Sequence, residues 1–432
     1  MKIDICPGPW MSLSGTGRRT LIRVLFIYSQ YTITVVSPYP NEQYWSDEAQ
    51  NDIKRHIATL LCENNLLLIT GAGFSNNFGY PIWNKFLDFL NKQIGNPIDK
   101  TSPQCQTDGS LDYLKYAQEI ANKYLEDPSR SNDIKNYIFE CFNSDKFSVS
   151  SDFYKNLLEL GFRGFATLNY DCALELLINR YGLTNRPSNS VNVCGDYSSI
   201  EIKKFLDNVS EKKDVFYNIL HLHGIYREYG KIILTQASYD DWYNRGSLTN
   251  IEKLTNEIIE RIISQNDPVT ERKITELMSQ IKFMFDSKTL NSQHKKLIWL
   301  IFARHQILFI GFSADDTYFM NLLEVVKDDF TLPSKPVHFV LTKFSPNEPD
   351  IENCEKELIC EKLIKKGLWP IFYPVENNEY EKGLEEFVRE IEALKQRICK
   401  DKNVSLQDNK QKISPDPARS IKDITRDMLR RK

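Results

Sequence analysis

The amino-acid sequence predicts an α/β protein built on a parallel sheet. The chain contains short apolar runs typical of strands buried on both faces, helical patterns between these runs, and glycine-containing turns where several of them end. Strands that alternate with helices favour parallel pairing, and such sheets bind ligands at the carboxyl ends of their strands. The predicted strands lie at residues 66–69, 164–168, 216–221, 307–310, 337–341 and 370–375. The helical patterns lie at residues 173–181, 319–326 and 384–394.

The length and composition allow a large core. The chain has 432 residues, of which 41% are hydrophobic and 12% aromatic, so it can fold as one large domain with elaborations or as two domains. A formal net charge of -3 provides no overall attraction for nucleic acid. We therefore exclude nucleic acid as the primary substrate and expect no direct contact with it.

The nine cysteines are scattered, without a Cys-x-x-Cys pair. This spacing disfavours a zinc ribbon and a disulfide framework, so we expect no metal centre and a reducing, cytoplasmic location. The apolar run at residues 21–36 is interrupted by Arg23 and by polar residues. It is too short and too polar to span a membrane, so we expect no membrane association.

The main domain is predicted over residues 46–400, after an N-terminal extension, residues 1–45, to which the sequence assigns no role. Its first helix is expected to start near Ser46, with Asp47 and Glu48 in the first turn. A serine before acidic residues is a typical helix start, because the hydroxyl caps backbone amides and the acids complement the helix dipole.

Two long insertions and a tail depart from the simple alternation of strands and helices. Residues 84–160 and 245–302 are charged and helical in pattern, and we expect them to form a second, helical subdomain beside the sheet. Residues 401–432 are basic and are predicted to be a flexible end, with a short docking helix as the alternative.

The first candidate motif, Gly71-Ala72-Gly73-Phe74-Ser75, directly follows a predicted buried strand. Glycines at such a place let backbone N–H groups approach a pyrophosphate, and a helix start favours negative charge. Asn76 stands where the third glycine of the full dinucleotide fingerprint would be. A plain turn is therefore the alternative.

The second motif, Ala166-Thr167-Leu168-Asn169-Tyr170-Asp171, also follows a strand. Asn169 and Asp171 are two residues apart, so an extended segment directs both side chains to the same side. Asn169 can hold a ribose hydroxyl or a water, and Asp171 can accept a hydrogen bond from a carboxamide. Alternatively, Asp171 caps the helix that begins near Cys172.

The third motif, Leu220-His221-Leu222-His223-Gly224, places two histidines at alternate positions of a predicted strand. A metal site is the weaker interpretation, because no carboxylate or cysteine lies nearby at ligand spacing. A single base or hydroxyl-binding histidine is favoured, with His223 the better candidate. His221 is then packed against a neighbouring strand.

The fourth motif is a Gly311-Phe312-Ser313 turn that follows a strand and leads into Asp315 and Asp316. Ser313 and backbone amides in such a turn can hold a phosphate or a ribose. A helix N-cap formed by Ser313 or Asp315 accounts for the local sequence equally well.

Together the four motifs resemble those of the sirtuin superfamily. In that family a Gly-Ala-Gly-x-Ser loop with a downstream Gly-x-Pro is followed by Thr-x-Asn-x-Asp, by His-Gly and by a Gly-x-Ser turn. The corresponding residues are Gly71–Ser75 with Gly79-Tyr80-Pro81, Thr167–Asp171, His223-Gly224 and Gly311–Ser313. The resemblance covers about residues 60–375 and implies a Rossmann-like sheet of the sirtuin and deoxyhypusine-synthase type.

The resemblance also implies an NAD⁺ site and assigns residues to it. Asn169, Asp171 and His223 form the implied catalytic set, with the first two lining the nicotinamide–ribose pocket and His223 acting on the ribose. Ser313 approaches the adenosine side, and the loop at 71–75 meets the phosphates. The implied binding residues are Gly71, Ala72, Gly73, Ser75, Thr167, Gly311 and Ser313.

The chain departs from the protein-deacylating sirtuins, since it lacks their paired-cysteine zinc module and has Ile82-Trp83 after Pro81. The chain also has Asn-Tyr-Asp in the second motif and a Tyr-Asp-Asp-Trp segment at 239–242. In these features and in the departures above, it resembles bacterial sirtuin-like effectors of antiphage defence. That resemblance implies an NAD⁺ hydrolase that depletes cellular NAD⁺ and self-assembles or partners with a HerA-type DNA translocase ATPase.

Three other functions stay open at this point. An NAD⁺-dependent protein deacylase would need a groove for an acyl-lysine peptide, and the missing zinc cysteines count against it. A non-catalytic module that binds NAD⁺ or ADP-ribose would need only the binding residues. A scaffold that acts through its basic tail rests on little beyond residues 400–432.

Overall fold

The computed structural model describes most of the chain from residue 44 to residue 412. The gaps are residues 108–109, 127–131, 150, 184–189, 195–201, 203–204, 207–218, 245–291, 315, 330–337, 345–348 and 376–379. Nearly all of the N-terminal extension, most of the insertion at 245–302 and the tail after residue 412 therefore lie outside the described residues.

The elements follow one another in the alternating order that the sequence predicts. The strands are β1 Leu66–Thr70, β2 Gln106–Thr107, β3 Ser110–Leu111, β4 Gly164–Thr167, β5 Ser190–Asn192, β6 Ile219–His221, β7 Gln306–Ile310, β8 His338–Phe344 and β9 Leu368–Pro374. The helices are α1 Asp47–Cys62, α2 Ala72–Asn76, α3 Trp83–Lys92, α4 Tyr113–Leu125, α5 Asp133–Phe142, α6 Phe153–Glu159, α7 Ala173–Arg180, α8 Gln236–Asn244, α9 Gln293–Arg304, α10 Thr317–Asp329, α11 Pro349–Lys365 and α12 Tyr380–Lys412.

Seven strands form one parallel sheet in the order β5-β6-β4-β1-β7-β8-β9, which confirms the predicted Rossmann-like α/β class. From β1 the chain proceeds to one side through β4, β5 and β6, then crosses back to place β7 on the other side of β1. Such a reversal opens a crevice at the carboxyl ends of the two central strands, where open α/β sheets bind ligands.

The six predicted strands are confirmed, with β6 described from Ile219 onward. The three-residue edge strand β5 and the short antiparallel hairpin of β2 and β3 were not predicted. Ser190–Asn192 has no apolar run to mark it, and its pairing with β6 depends on contacts that are distant in the sequence.

The two faces of the sheet pack into separate hydrophobic clusters. Leu66 and Leu68 of β1 face one cluster, and Leu67 and Ile69 face the other, as the period-two geometry of a strand requires. The helices of the insertion at 84–160 pack into the first cluster, so they share the core of the sheet. Helices α8, α9 and α10 contribute to the second.

Helix α1 begins at Asp47, as predicted, because the Ser46 hydroxyl accepts a hydrogen bond from the backbone N–H of Ala49. It packs beside α12, and Lys54 forms an ion pair with Glu390 across the two helices. Helix α12 runs to Lys412, past the predicted domain boundary at residue 400.

Cys62 at the end of α1 is joined to Cys399 of α12 by a disulfide, with the two Cα atoms 6.0 Å apart. The cysteine spacing disfavoured a disulfide framework, and this single pair was not predicted. The two residues are 337 positions apart in the sequence, so local cysteine spacing does not predict the pair.

Among the described residues, no helix combines the length and the apolar character needed to cross a membrane.

Candidate active site

A cavity of about 1550 Å³ opens at the carboxyl ends of the central strands. Its walls include the loops that follow β1, β4, β6 and β7, together with α8. Eight of the ten residues predicted for the site border it: Gly71, Ala72, Gly73, Asn169, Asp171, His223, Gly311 and Ser313. The four motifs, which are distant in the sequence, therefore meet at one place.

The loops after β1 and β7 touch backbone to backbone. Gly71 N–H donates to Ile310 O and Gly73 N–H donates to Gly311 O, each over 2.9 Å. A Cβ atom on Gly71 would lie 2.5 Å from Gly311 O, and Gly311 itself has a φ of +68°. These glycines are thus required for the contact between the two loops.

That contact changes how the first motif can meet a phosphate. Because the N–H groups of Gly71 and Gly73 already have acceptors, they are not the donors that we expected a pyrophosphate to use. Among the described residues, the N–H of Ala72 at the start of α2 has no acceptor. This amide is the better placed donor toward the cavity.

Ser75 joins the first and second motifs. The Asn169 side-chain amide donates to Ser75 Oγ over 2.7 Å, and Ser75 Oγ donates to Asp171 Oδ1 over 3.0 Å. Ser75 is buried and does not border the cavity. Its two hydrogen bonds connect the side chains of Asn169 and Asp171.

Thr167 has a similar supporting position. Its Oγ1 accepts a hydrogen bond from the backbone N–H of Asn169 over 3.1 Å and from Thr70 Oγ1 over 3.0 Å. Thr167 is buried and does not border the cavity. Ser75 and Thr167 are therefore the two predicted binding residues that do not border the cavity. Ser75 fixes the side chain of Asn169, and Thr167 fixes its backbone.

Asp171 both caps a helix and borders the cavity. Its Oδ1 accepts a hydrogen bond from the backbone N–H of Ala173 at the start of α7, as the capping interpretation predicts. Burial raises its pKa to about 6, although the bonds from Ala173 and Ser75 act in the opposite direction. Oδ2 has no hydrogen-bond partner among the described residues.

We expected His221 to be packed against a neighbouring strand. The structure also pairs it with Glu175, a residue that sequence reasoning missed. Its Nε2 lies 2.7 Å from Glu175 Oε1, and its Nδ1 lies 3.2 Å from the backbone carbonyl of Asn169. The carbonyl can only accept, so Nδ1 donates to it. Burial alone would lower the pKa of His221, but the contacts with Glu175 outweigh it and raise the pKa.

His223 borders the cavity and is only 4% exposed. Its Nε2 lies 2.8 Å from the Tyr243 hydroxyl, and its Nδ1 lies 3.5 Å from the Tyr239 hydroxyl. Burial lowers the pKa of His223 to about 3, so the imidazole is neutral near pH 7.

The fourth motif contributes Asp316 beside His223. Asp316 Oδ2 accepts a hydrogen bond from the Tyr239 hydroxyl over 2.7 Å and lies 3.8 Å from His223 Nε2. Its Oδ1 accepts from the backbone N–H of Phe319, so Asp316 caps α10, a role that the alternative interpretation gave to Ser313 or Asp315. Ser313 is exposed on the cavity wall, and Asp315 lies outside the described residues.

Sequence reasoning did not select Glu175, Tyr239, Tyr243 and Asp316 as site residues. Tyr239 begins the Tyr-Asp-Asp-Trp segment and Asp316 ends the fourth motif, which is the local signal available for them. Their contacts with His223 depend on how α8 and α10 pack, and a linear pattern does not show this.

Within the part of the chain that the structure describes, no group of three or more histidine, cysteine, aspartate or glutamate side chains can hold a metal ion. The described carboxylates of the cavity wall belong to Asp112, Asp171, Asp240 and Asp316, and its described lysines are Lys295, Lys343 and Lys362. The cavity wall thus combines hydrogen-bonding groups, carboxylates and lysines with aromatic and aliphatic side chains.

The fold and the site define a Rossmann-like α/β protein with a large cavity at its topological switch point. Residues 163–363 match the family model described as a SIR2-like domain. The match supports membership of the sirtuin-like superfamily and an activity related to NAD. It includes Asn169, Asp171, His223 and the Gly311–Ser313 turn, and it begins after the glycine loop at 71–75. No match was found among curated proteins.

Proposed function

We propose that the protein is an NAD⁺ glycohydrolase that cleaves the bond between nicotinamide and ribose. The observation that carries the proposal is the meeting of Asn169, Asp171 and His223 in one cavity with the Gly71 and Gly311 loops. The volume of about 1550 Å³ exceeds the roughly 300–1000 Å³ of typical small-molecule pockets, so a dinucleotide and a water fit together.

The reaction consumes one water. The C–N bond between ribose and nicotinamide breaks, and the nitrogen keeps the electron pair and leaves as neutral nicotinamide. A C–O bond to the water oxygen forms, and the water loses one proton, which gives ADP-ribose, nicotinamide and H⁺. The protein must orient the leaving group, accept a proton and position the water.

Asn169 is the proposed group for orienting the water or the ribose. Its side-chain amide is directed by Ser75 Oγ, and its backbone is held by Thr167 Oγ1 and by His221 Nδ1. The side-chain oxygen has no partner among the described residues, so it is available to accept from a hydroxyl or a water. Such fixation from three sides favours a single productive geometry.

Asp171 and its aromatic neighbours suit the leaving group. Asp171 Oδ2 is available to accept from a carboxamide N–H, and the same region of the wall carries Trp83, Phe86, Phe142 and Tyr170. Aromatic rings pack against planar rings, and a carboxylate favours a positively charged pyridinium. We assign this region to the nicotinamide.

Neutral His223 is the proposed base for the proton of the ribose hydroxyl or the water. Its lowered pKa keeps it unprotonated near pH 7 and able to accept. The Ala72 amide and the exposed Ser313 then serve the phosphates and the adenosine-side ribose, at the other loops of the cavity.

Incubation of the full chain with NAD⁺ alone tests the proposal and separates it from the two alternatives. A hydrolase releases nicotinamide and ADP-ribose in equal amounts without any acylated peptide, as quantified by mass spectrometry. A deacylase releases nicotinamide only when the peptide is present. A binding module retains NAD⁺ in a binding assay but leaves it intact, and either of these results overturns the hydrolase assignment.

We further propose that the enzyme acts in antiphage defence by depleting cellular NAD⁺, as the resemblance to sirtuin-like effectors implies. In this proposal the chain works as a homo-oligomer, alone or with a HerA-type ATPase. Light scattering of the pure chain and NAD⁺ levels in phage-infected cells that carry it test this role. Unchanged NAD⁺ during infection, with active enzyme present, contradicts it.

A further inference from the structure

The buried environment of His223 opposes the proton uptake that a base must perform. Burial holds its pKa at about 3, so the imidazolium that forms on proton uptake is unstable in this position. A buried base near neutral pH needs a negative group that stabilises its protonated form, as a carboxylate does for a catalytic histidine in serine hydrolases.

Asp316 is a carboxylate that approaches the imidazole. Its Oδ2 lies 3.8 Å from His223 Nε2, within the range of an ion pair once the ring is protonated. The carboxylate is fixed at two points, because Oδ2 accepts from the Tyr239 hydroxyl and Oδ1 accepts from the backbone N–H of Phe319.

Tyr239 connects this carboxylate with the ring of the histidine. Its hydroxyl donates to Asp316 and lies 3.5 Å from His223 Nδ1, at the outer limit of a hydrogen bond. Its ring meets the imidazole edge to face, with centroids 5.4 Å apart and an interplanar angle of 78°. Tyr239 borders the cavity, so it contacts both the ligand space and the His223–Asp316 pair.

We propose that Asp316 and Tyr239 are positioning residues that make His223 an effective base. Asp316 stabilises the imidazolium that forms when His223 takes up a proton, and Tyr239 holds Asp316 and the imidazole in their relative orientation. This inference rests on the proposed hydrolase activity and gives the fourth motif, through Asp316, a role beyond phosphate or ribose contact.

A capping role alone does not explain the geometry. Capping of α10 uses Oδ1, whereas the contacts with Tyr239 and His223 use Oδ2. An asparagine at this position keeps a cap oxygen and loses the charge, so Asp316→Asn separates the two roles.

The pKa of Asp316 depends on the groups that face its carboxylate. They are Tyr239 of α8, His223 after β6, Tyr170 after β4 and Tyr318 of α10, and Lys295 and Asp240 border the same cavity. Burial raises the pKa of Asp316 to about 6, so protonation removes its charge below that pH. The activity is then expected to fall on the acid side, with Asp171, whose pKa is also about 6, as a second contributor.

The test measures kcat and KM for NAD⁺ against pH in the full chain and in three variants. Asp316→Asn and Tyr239→Phe should each lower kcat by roughly 10-fold or more, with KM changed by less than about threefold. The acid limb of log kcat should become shallower in Asp316→Asn, because one of the two titrating carboxyls is gone. Tyr124→Phe is the matched control, since it removes a buried hydroxyl bonded to Leu90 O at a residue that does not border the cavity.

Each outcome has one meaning. Nicotinamide release by the wild type, with kcat and the acid limb unchanged in Asp316→Asn and Tyr239→Phe, overturns this inference and leaves the hydrolase assignment intact. No release by the wild type overturns the hydrolase assignment and this inference with it. A raised KM with unchanged kcat makes both residues simple ligand contacts and also contradicts the inference.

Discussion

The side-chain amide of Asn169 donates to Ser75 Oγ over 2.7 Å and thereby joins the loops that follow two neighbouring strands, β1 and β4. Ser75 Oγ in turn donates a second hydrogen bond, of 3.0 Å, to Asp171 Oδ1. The two candidate catalytic side chains of the second motif are therefore oriented by a serine of the first.

Ser75→Ala tests this arrangement. It leaves the Asn169 amide without its acceptor and removes a donor from Asp171, so the free energy of unfolding should fall by about 1–3 kcal/mol and turnover by roughly 10-fold or more. Urea unfolding and nicotinamide release measure the two effects. Ser46→Ala, which removes only the cap of α1, should lower stability by about 0.5–2 kcal/mol and leave turnover unchanged. Equal turnover in both variants contradicts the role of Ser75.

The pair of His221 and Glu175 predicts a pH-dependent contribution to stability. The folded-state pKa of His221 is raised above 6.5, so the stabilisation is complete below pH 6.5 and is lost as the pH rises through the folded-state value. Glu175→Ala should cost about 3–5 kcal/mol at pH 6, because it breaks a buried ion pair. Urea unfolding of the variant and the wild type from pH 5 to pH 9 measures the difference, which should shrink at high pH. A constant difference would show that His221 does not titrate in this way.

The two buried carboxyl groups predict a loss of stability with rising pH in a lower pH range. Asp171 and Asp316 have pKa values of about 6 against an ordinary 3.8, so the folded state holds more protons than the unfolded chain between about pH 4 and pH 6. The free energy of unfolding contributed by these groups therefore falls as the pH rises, by roughly 3 kcal/mol for each group. Asp171→Asn and Asp316→Asn should each become more stable relative to the wild type across this window. Parallel curves for both variants would refute the two pKa shifts.

The contact between the glycine loops predicts a strong effect of a single methyl group. Gly311→Ala combines a left-handed backbone conformation with a clash against the backbone of Phe74, so its cost should exceed the roughly 1–2 kcal/mol of positive φ alone. Gly182→Ala is the control, since Gly182 has a φ of +59° but no atom within 4 Å of the added Cβ. Urea unfolding compares the two. Equal costs would show that the Gly311 loop can move away from Gly73 and Phe74.

The sequence predicted much of this architecture because the information is local. Apolar runs such as Leu66–Ile69 identify strands buried on both faces, and the residues after them necessarily share one edge of a parallel sheet. Asn169, Asp171 and His223 could therefore be placed in one cavity before the fold was known.

The contacts between elements were not predictable in the same way. Glu175 faces His221, and Asp316 faces His223, because α7 and α10 pack at particular angles to the sheet. The disulfide of Cys62 and Cys399 and the edge strand Ser190–Asn192 likewise depend on distant partners. Ser75 and Thr167 match the family motif, yet they support Asn169 from behind the cavity wall.

The most direct test of the central claim is a crystal structure of the Asn169→Ala variant with NAD⁺ bound. We expect the dinucleotide in the cavity between the Gly71 and Gly311 loops, with the bond between nicotinamide and ribose beside His223 and the carboxamide at Asp171. NAD⁺ bound outside this cavity, or inside it with the nicotinamide away from His223 and Asp171, would overturn the assignment of this site.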